Sequence, residues 1–130
     1  MIHRIDKSNQ LCSMFHNMKI IEIRTFTREL ERFLKKKQLL EIDYKSFKKN
    51  LAEYPELGDL ISGTNGVRKI RLKSAFGGKS GGFRVCYYYI INKESIYLLF
   101  IYSKNAKEDL SMQEKRILRG LVNNLKEENK

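Results

Sequence analysis

The sequence predicts an α+β domain, a small and mainly antiparallel sheet with helices packed on it, in the order β-α-α-β-β-β-α. Three observations predict it. Apolar residues at helical spacing follow Thr27 and again Ile42. From Val67 to Ser103 the chain alternates and is rich in β-branched and aromatic residues. A capping box, Ser111-Met-Gln-Glu114, then opens one more apolar stripe at helical spacing.

Each element has its own signal. Lys19–Phe26 carries Ile20, Ile21 and Ile23, which suit a pleated surface. Thr27 offers an N-cap oxygen, and Leu30, Phe33 and Leu34 follow at helical spacing. Lys35, Lys36 and Lys37 complement that helix's C-terminal dipole. A second helix is expected over Ile42–Glu53, with Tyr44, Phe47, Leu51 and Tyr54 on one face and Pro55 ending it. Gly58, Gly63 and Gly66 mark a loop. In Val67–Lys73, Ile70 and Leu72 fall on one face, and Lys69, Arg71 and Lys73 on the other. Gly77–Gly82 reads as a hairpin loop between that strand and Phe83–Ile91, and Ser95–Ser103 is the next strand. Ile117, Leu118, Leu121, Val122 and Leu125 stripe the last helix, where Gly120 suggests close packing.

The 130 residues suffice for one domain with a single modest core. Residues 1–17 lack a period and are expected to be an N-terminal extension, flexible or loosely docked. The alternative is an ordered element with Ile5, Leu11 and Phe15 packed on the domain. The domain itself is expected to occupy residues 18–130 and to fold without the extension. No apolar run approaches the roughly 20 residues of a membrane span, and the first residues do not read as a secretory signal. Two cysteines, Cys12 and Cys86, stand far apart, which excludes a disulfide scaffold and fits a cytoplasmic protein. The only histidines are His3 and His16, so neither a metal site nor imidazole catalysis is expected in the domain.

Charge narrows the function. Twenty-six Lys and Arg against fifteen Asp and Glu give a net charge of +11. Between Leu60 and Lys93 there is no acidic residue, while Arg68, Lys69, Arg71, Lys73, Lys79, Arg84 and Lys93 all lie there. Such a stretch suits a polynucleotide backbone; the plain alternative is a solvated basic surface. Lys69, Arg71, Arg84 and Lys104 can converge across neighbouring strands. Like charges crowded on one sheet face destabilise a fold unless an anion is expected there.

Two tempting motifs fail. Gly77–Gly82 is not a phosphate loop of the strand-to-helix kind, because it joins strand to strand and lacks the leading glycine. It is either a mobile tip or an arm carrying Lys79 to a phosphate backbone. Phe83–Tyr89 departs from the aromatic RNA-binding strand of RRM domains, since Arg84 follows Phe83 directly. Tyr87 and Tyr89 lie on the opposite strand face from Arg84 and Tyr88, and core packing is the default for most of the tyrosines.

Three segments together resemble the RelE/ParE superfamily of bacterial toxins, most closely the HigB-type RelE branch of type II toxin–antitoxin systems. They are Leu57-Gly-Asp-Leu-Ile-Ser-Gly-Thr-Asn-Gly-Val-Arg-Lys-Ile-Arg-Leu72, Gly78-Lys-Ser-Gly-Gly-Phe-Arg-Val-x-Tyr-Tyr88, and Tyr97-Leu-Leu-x-Ile-Tyr-Ser-Lys-Asn-x-x-x-Asp-Leu110. The resemblance runs from about Met18 to Leu125. Asn65 departs from it, standing where a second glycine is expected, but Asn tolerates a left-handed backbone.

The resemblance implies a ribosome-dependent mRNA endonuclease without metal or cofactor. Its partners would be a cognate antitoxin, a HigA-like helix-turn-helix protein, together with the ribosome and mRNA. DNA would be touched only through the antitoxin complex. A ribose 2′-OH would attack the adjacent phosphate. By position, Lys69, Arg71, Arg84 and Lys104 fall where such toxins place catalytic or phosphate-binding groups. Arg68, Lys73, Lys79, Tyr88 and Tyr102 are the expected RNA contacts. Chemistry agrees: Arg84, supported by Arg71, suits the extra negative charge of a pentavalent phosphorane. Lys69 and Lys104 are candidates for base or acid. Two rivals stand beside this reading, a ParE-like gyrase poison without nuclease chemistry and a non-catalytic RNA-binding module.

Overall fold

A computed structural model describes residues 3–5 (backbone only), 10–15, 17–74 and 82–130. Residues 75–81, with Lys79 and most of the glycine loop, lie outside it, as does His16. The described chain runs β1 (His3–Ile5), β2 (Leu11–Phe15), β3 (Met18–Glu22), α1 (Arg24–Lys35), α2 (Glu41–Glu53), β4 (Asp59–Leu60), β5 (Arg68–Leu72), β6 (Phe83–Ile90), β7 (Ser95–Ser103) and α3 (Met112–Glu128), with a 3-10 turn at Ile91–Lys93. From Met18 onward this is the expected order, with the two-residue β4 added. The strands form one sheet in the order β1-β2-β3-β7-β6-β5-β4. Every neighbouring pair is antiparallel except β3 and β7.

Both faces of the sheet are covered. On one, α1 and α2 bury Phe26, Leu30, Phe33, Tyr44, Phe47 and Leu51 against Ile20, Leu72, Val85, Tyr87, Leu98 and Ile101. On the other, α3 buries Leu118, Val122 and Leu125 against Ile21, Val67, Cys86, Tyr97 and Leu99. Removing that much apolar side chain from water, at about 25 cal/mol per Å², is the main stabilising term for so small a domain. The alternation along β6 holds as expected: Tyr87 faces α1 and α2 while Tyr88 faces α3. Buried Tyr87 is also bonded at its tip, accepting from the Gly58 N–H at 2.9 Å and donating to the Pro55 carbonyl at 2.8 Å. A Cβ on Gly58 would sit 2.8 Å from that ring, so the loop before β5 closes only over a glycine.

One irregularity shapes the sheet. Cys86 pairs with Phe100 but Tyr87 pairs with Leu98, so Leu99 is an extra residue in β7. Leu99 and Phe100 therefore both face α3, and the alternation beyond them is inverted. Ile101 falls on the α1/α2 side and Tyr102 on the α3 side. A bulge commonly re-aims a side chain in this way.

Several local expectations change. Helix α1 begins at Arg24, after Ile23, with no side-chain cap. Thr27 lies inside its first turn, donating to the Glu22 carboxylate and back to the Ile23 carbonyl. Tyr54, beyond the end of α2, is 57% exposed. Gly120 faces open space, and Ile117 is exposed, so the buried stripe of α3 is narrower than its apolar residues suggest. The capping box at Ser111 and Glu114 forms in full. Asn65 takes the left-handed backbone, with φ of 65°, and donates to Asn123 of α3 at 3.1 Å.

Residues 11–15 are not loosely docked. Leu11–Phe15 pairs along the whole of β3, with Cys12 and Ser13 buried and Phe15 against the core. A buried polar cluster ties this strand to both helices of its face. The Glu22 carboxylate accepts from Tyr44 at 2.5 Å and Thr27 at 2.8 Å. The Lys48 ammonium donates to Ser13 at 3.4 Å and lies 4.7 Å over the Tyr44 ring. Burial lowers the Lys48 pKa, though Glu22 and Glu41 oppose that. Removing Ser13 and Phe15 leaves this buried cation less well paired. A chain begun at Met18 is therefore expected to be less stable by at least about 3 kcal/mol, roughly one buried aromatic side chain. Denaturant unfolding of the two chains measures it; equal midpoints would mean the β2 packing contributes nothing.

Candidate functional site

The site candidates lie at one end of the α3-side face. Antiparallel register sets Arg71 of β5 directly opposite Arg84 of β6, and Arg84 directly opposite Tyr102 of β7. Directly opposed side chains start only about 5 Å apart. The next row, two residues along, is Lys69, Cys86 and Phe100. α3 covers this face further on, around Val67, Tyr97 and Leu99, and leaves the Arg71 end uncovered. Arg71 is exposed and Arg84 half-buried.

Like charges directly opposite one another on a sheet are unfavourable. Among the described residues neither arginine has an ion-pair partner. The one hydrogen bond seen for the Arg84 guanidinium goes to the Phe83 carbonyl, at 3.3 Å. The pair thus forms a compact, uncompensated positive centre on a rigid strand platform.

The remaining expected site residues sort into three groups. Lys69 joins the arginine face but is paired with Asp109 at 3.4 Å. That carboxylate offsets the cationic crowding that the sequence alone suggests for Lys69. Lys104 follows β7 as the first residue of a turn, its N–H donating to the Gly82 carbonyl at 3.2 Å. Its backbone is therefore fixed beside the start of β6. Lys73 is exposed just past β5. Arg68 is held elsewhere: its guanidinium donates to the Glu56 and Gly58 carbonyls at 3.0 and 2.7 Å, bracing the loop that Tyr87 also closes. Tyr88, four residues beyond Arg84 on the same face, packs into the α3-side core beside Gly66. At about 3.3 Å per residue it stands roughly 13 Å from the arginine row. Lys79 lies outside the described residues.

The structure adds three residues to the site. The turn after β7 carries Lys107 and Asp109, and the first turn of α3 carries Glu114. Lys107 pairs with Glu114, and its ammonium lies 5.0 Å from the Tyr102 ring centroid. Tyr102 is only 7% exposed. Burial pushes its phenol up to about 12, with the neighbouring Cys86 acting the same way and Arg84 against it. Burial likewise pushes the Cys86 thiol up to about 12, leaving it a protonated packing residue and no nucleophile. The capping box beginning at Ser111 was a sequence-level pointer to Glu114. Asp109 is a fixed position of the third segment that carries the family resemblance, whereas Lys107 falls on one of its variable positions.

A cavity of about 360 Å³ opens beside this end, between α1 and β7, lined among others by Phe33, Phe100, Tyr102, Lys107 and Glu114. Beyond Leu98 the β7 edge has left β3 behind, because β3 ends at Glu22. The chemistry on offer is therefore cationic and hydrogen-bonding, with one open groove beside it. It suits an anion with an attached planar or apolar group.

The family described as RelE toxin of the RelE / RelB toxin-antitoxin system matches residues 18–130. The chain belongs to this family and is the toxin component of a toxin–antitoxin pair. No helix among the described residues is long and apolar enough to cross a membrane.

Glu114 gives this region a measurable acid dependence. Burial disfavours its charge, but hydrogen bonds from Lys107 and Ser111 outweigh that and hold its pKa below the ordinary carboxylate value. A depressed pKa means stability present above the unfolded value, near 4.3, and lost as pH falls through the folded one. Glu114→Gln keeps a capping-box acceptor but loses the charge paired with Lys107, and is expected to lower stability at pH 7 by about 0.5–1 kcal/mol. It should also flatten the loss between pH 5 and pH 3. Thermal unfolding across that range measures both; parallel curves for the two proteins would assign the acid limb to other carboxylates.

Proposed function

We propose that this toxin is a metal-independent mRNA endonuclease that works on the translating ribosome in the cytoplasm. The observation that carries the reading is the opposed pair Arg71 and Arg84 on adjacent strands, neither with an ion-pair partner among the described residues. A phosphodiester in front of them removes their mutual repulsion and accepts charge-assisted bonds. In the reaction the 2′-oxygen bonds to phosphorus and gives up its proton. The bond from phosphorus to the 5′-oxygen breaks, and that oxygen leaves with the electron pair and takes a proton. The products are a cyclic phosphate and a 5′-OH. Arg84 stabilises the equatorial oxygens of the phosphorane, and Arg71 supports it. Lys104, with no carboxylate partner among the described residues, and Lys69, poised against Asp109, are the candidates for proton transfer. Lys73 and Lys79 hold the flanking backbone.

Dependence on the ribosome follows from the same inventory. An independent ribonuclease of this kind wants acid and base groups near pKa 7. From Met18 onward the chain has no histidine. Rate then has to come from a message already held in line for attack, and such orientation supplies roughly 7–11 kcal/mol in favourable systems. The antitoxin partner is proposed to be a HigA-like helix-turn-helix protein, which would bring the pair to DNA without the toxin touching it.

A cell-free translation reaction with mapping of mRNA 5′ ends tests the reading. The expected outcome is cleavage of translated messages and negligible cleavage of the same RNA free in solution. Arg84→Ala should fold normally, because the side chain is half-exposed and has no ion-pair partner among the described residues, and should slow cleavage by about 10² to 10³. Rapid cutting of free RNA would remove the ribosome from the mechanism. Inhibited DNA supercoiling with intact messages would favour gyrase as the target.

A further inference from the structure

Among the described residues, nothing bonds to the hydroxyl of Tyr102. Its oxygen is fully buried. An unsatisfied buried hydroxyl costs roughly 1–3 kcal/mol, while a phenylalanine would fill the same space without that cost. The ring itself is firmly held. It sits beneath the Lys107 ammonium, which Glu114 fixes in turn, and it lines the 360 Å³ cavity between α1 and β7. Its strand neighbour across the sheet is Arg84, whose strand neighbour is Arg71. The bulge at Leu99 puts Tyr102 on this face at all. In an unbroken β7 the same residue would point towards α1 and α2.

We infer that the Tyr102 hydroxyl is a catalytic hydrogen-bond donor, contributed with Arg84 and Arg71 to the non-bridging oxygens of the scissile phosphodiester. The three groups come from three adjacent strands and form one row, and the buried phenol meets a phosphate held by the arginines once the side chains over it give way. Tyr102 stays protonated throughout. It donates a hydrogen bond and transfers no proton, so the proton inventory of the cleavage step is unchanged. The inference rests on the endonuclease reading and goes beyond it, because it assigns transition-state stabilisation to a neutral group. A neutral donor also keeps its strength when salt screens the two arginines.

The test is Tyr102→Phe, which keeps the ring, the Lys107 contact and the packing and removes one oxygen. Wild type, Tyr102→Phe and Arg84→Ala are compared in single-turnover cleavage on programmed ribosomes, in ribosome binding and in thermal unfolding. The expected result for Tyr102→Phe is a rate 10- to 100-fold lower, unchanged ribosome affinity and an unfolding temperature equal to or above wild type. Its pH–rate profile from pH 6 to 9 should run parallel to wild type, since a donor adds no titration there. A wild-type rate in Tyr102→Phe with a slow Arg84→Ala overturns the role of the hydroxyl and leaves the endonuclease reading intact. A slow Tyr102→Phe with a clearly lowered unfolding temperature also overturns it, because the oxygen is then a structural partner. An altered profile would make Tyr102 the base. No cleavage by wild type on any ribosome complex removes the endonuclease reading, and this inference with it.

Discussion

The register of β5 against β6 and of β6 against β7 is the constraint on which the site depends. Hydrophobic side chains fix it from both faces: Leu72, Val85 and Ile101 under α1 and α2, and Cys86 and Leu99 under α3. A slip of one residue would send every one of these to the wrong side, which a sheet buried on both faces does not tolerate. The polar row of Arg71, Arg84 and Tyr102 is thus held in place by apolar packing beside it. Like charges placed directly opposite one another are unfavourable, and the packing of the core offsets that cost. A small domain can support that only because the strained pair sits at one end of the sheet, clear of the α3 stripe.

The +11 charge does not describe a uniformly sticky surface. Arg68 is tied to two carbonyls, Lys48 is buried, and Lys69 and Lys107 each have a carboxylate. Among the described residues the two arginines stand apart, without an ion-pair partner. The carboxylates of Asp109 and Glu114 sharpen this division by cancelling charge next to the row without entering it.

Much of the fold was legible because its signals are local. Alternation gave Ile70 and Leu72 one face and Arg71 the other, and the Ser111 box opened α3 where expected. The position of Arg84 on a central strand followed from the same alternation. What was hidden depends on pairing. Period-two reasoning along β7 is blind to an extra residue at Leu99, so it could not say which way Tyr102 points. Residues 11–15 lack a clear period because their strand is short and flanked by a tight turn at Asn17, where φ is 71°. Their order comes from Ile20, Ile21 and Lys48, far off or across the sheet. Thr27 looked like a cap because Thr suits one, yet Glu22 in the preceding strand takes its hydroxyl. Arg68 looked like an RNA contact because free and occupied guanidiniums are identical in a sequence.

The parallel pairing of β3 with β7 orders events in time as well as space. β2 and β3 form a hairpin whose two strands are near neighbours in the chain, and so do β6 and β7; both are quick to close. Joining them places Ile20 beside Ile96, across more than half of the chain. That contact has a high entropic barrier and forms late. Until Ser103 has left the ribosome exit tunnel, β3 has no partner on that side and β6 has no β7. The arginine row on β5 and β6 therefore lacks its platform through most of synthesis. The chain's own topology makes the strand platform under the arginine row dependent on its most distant pairing.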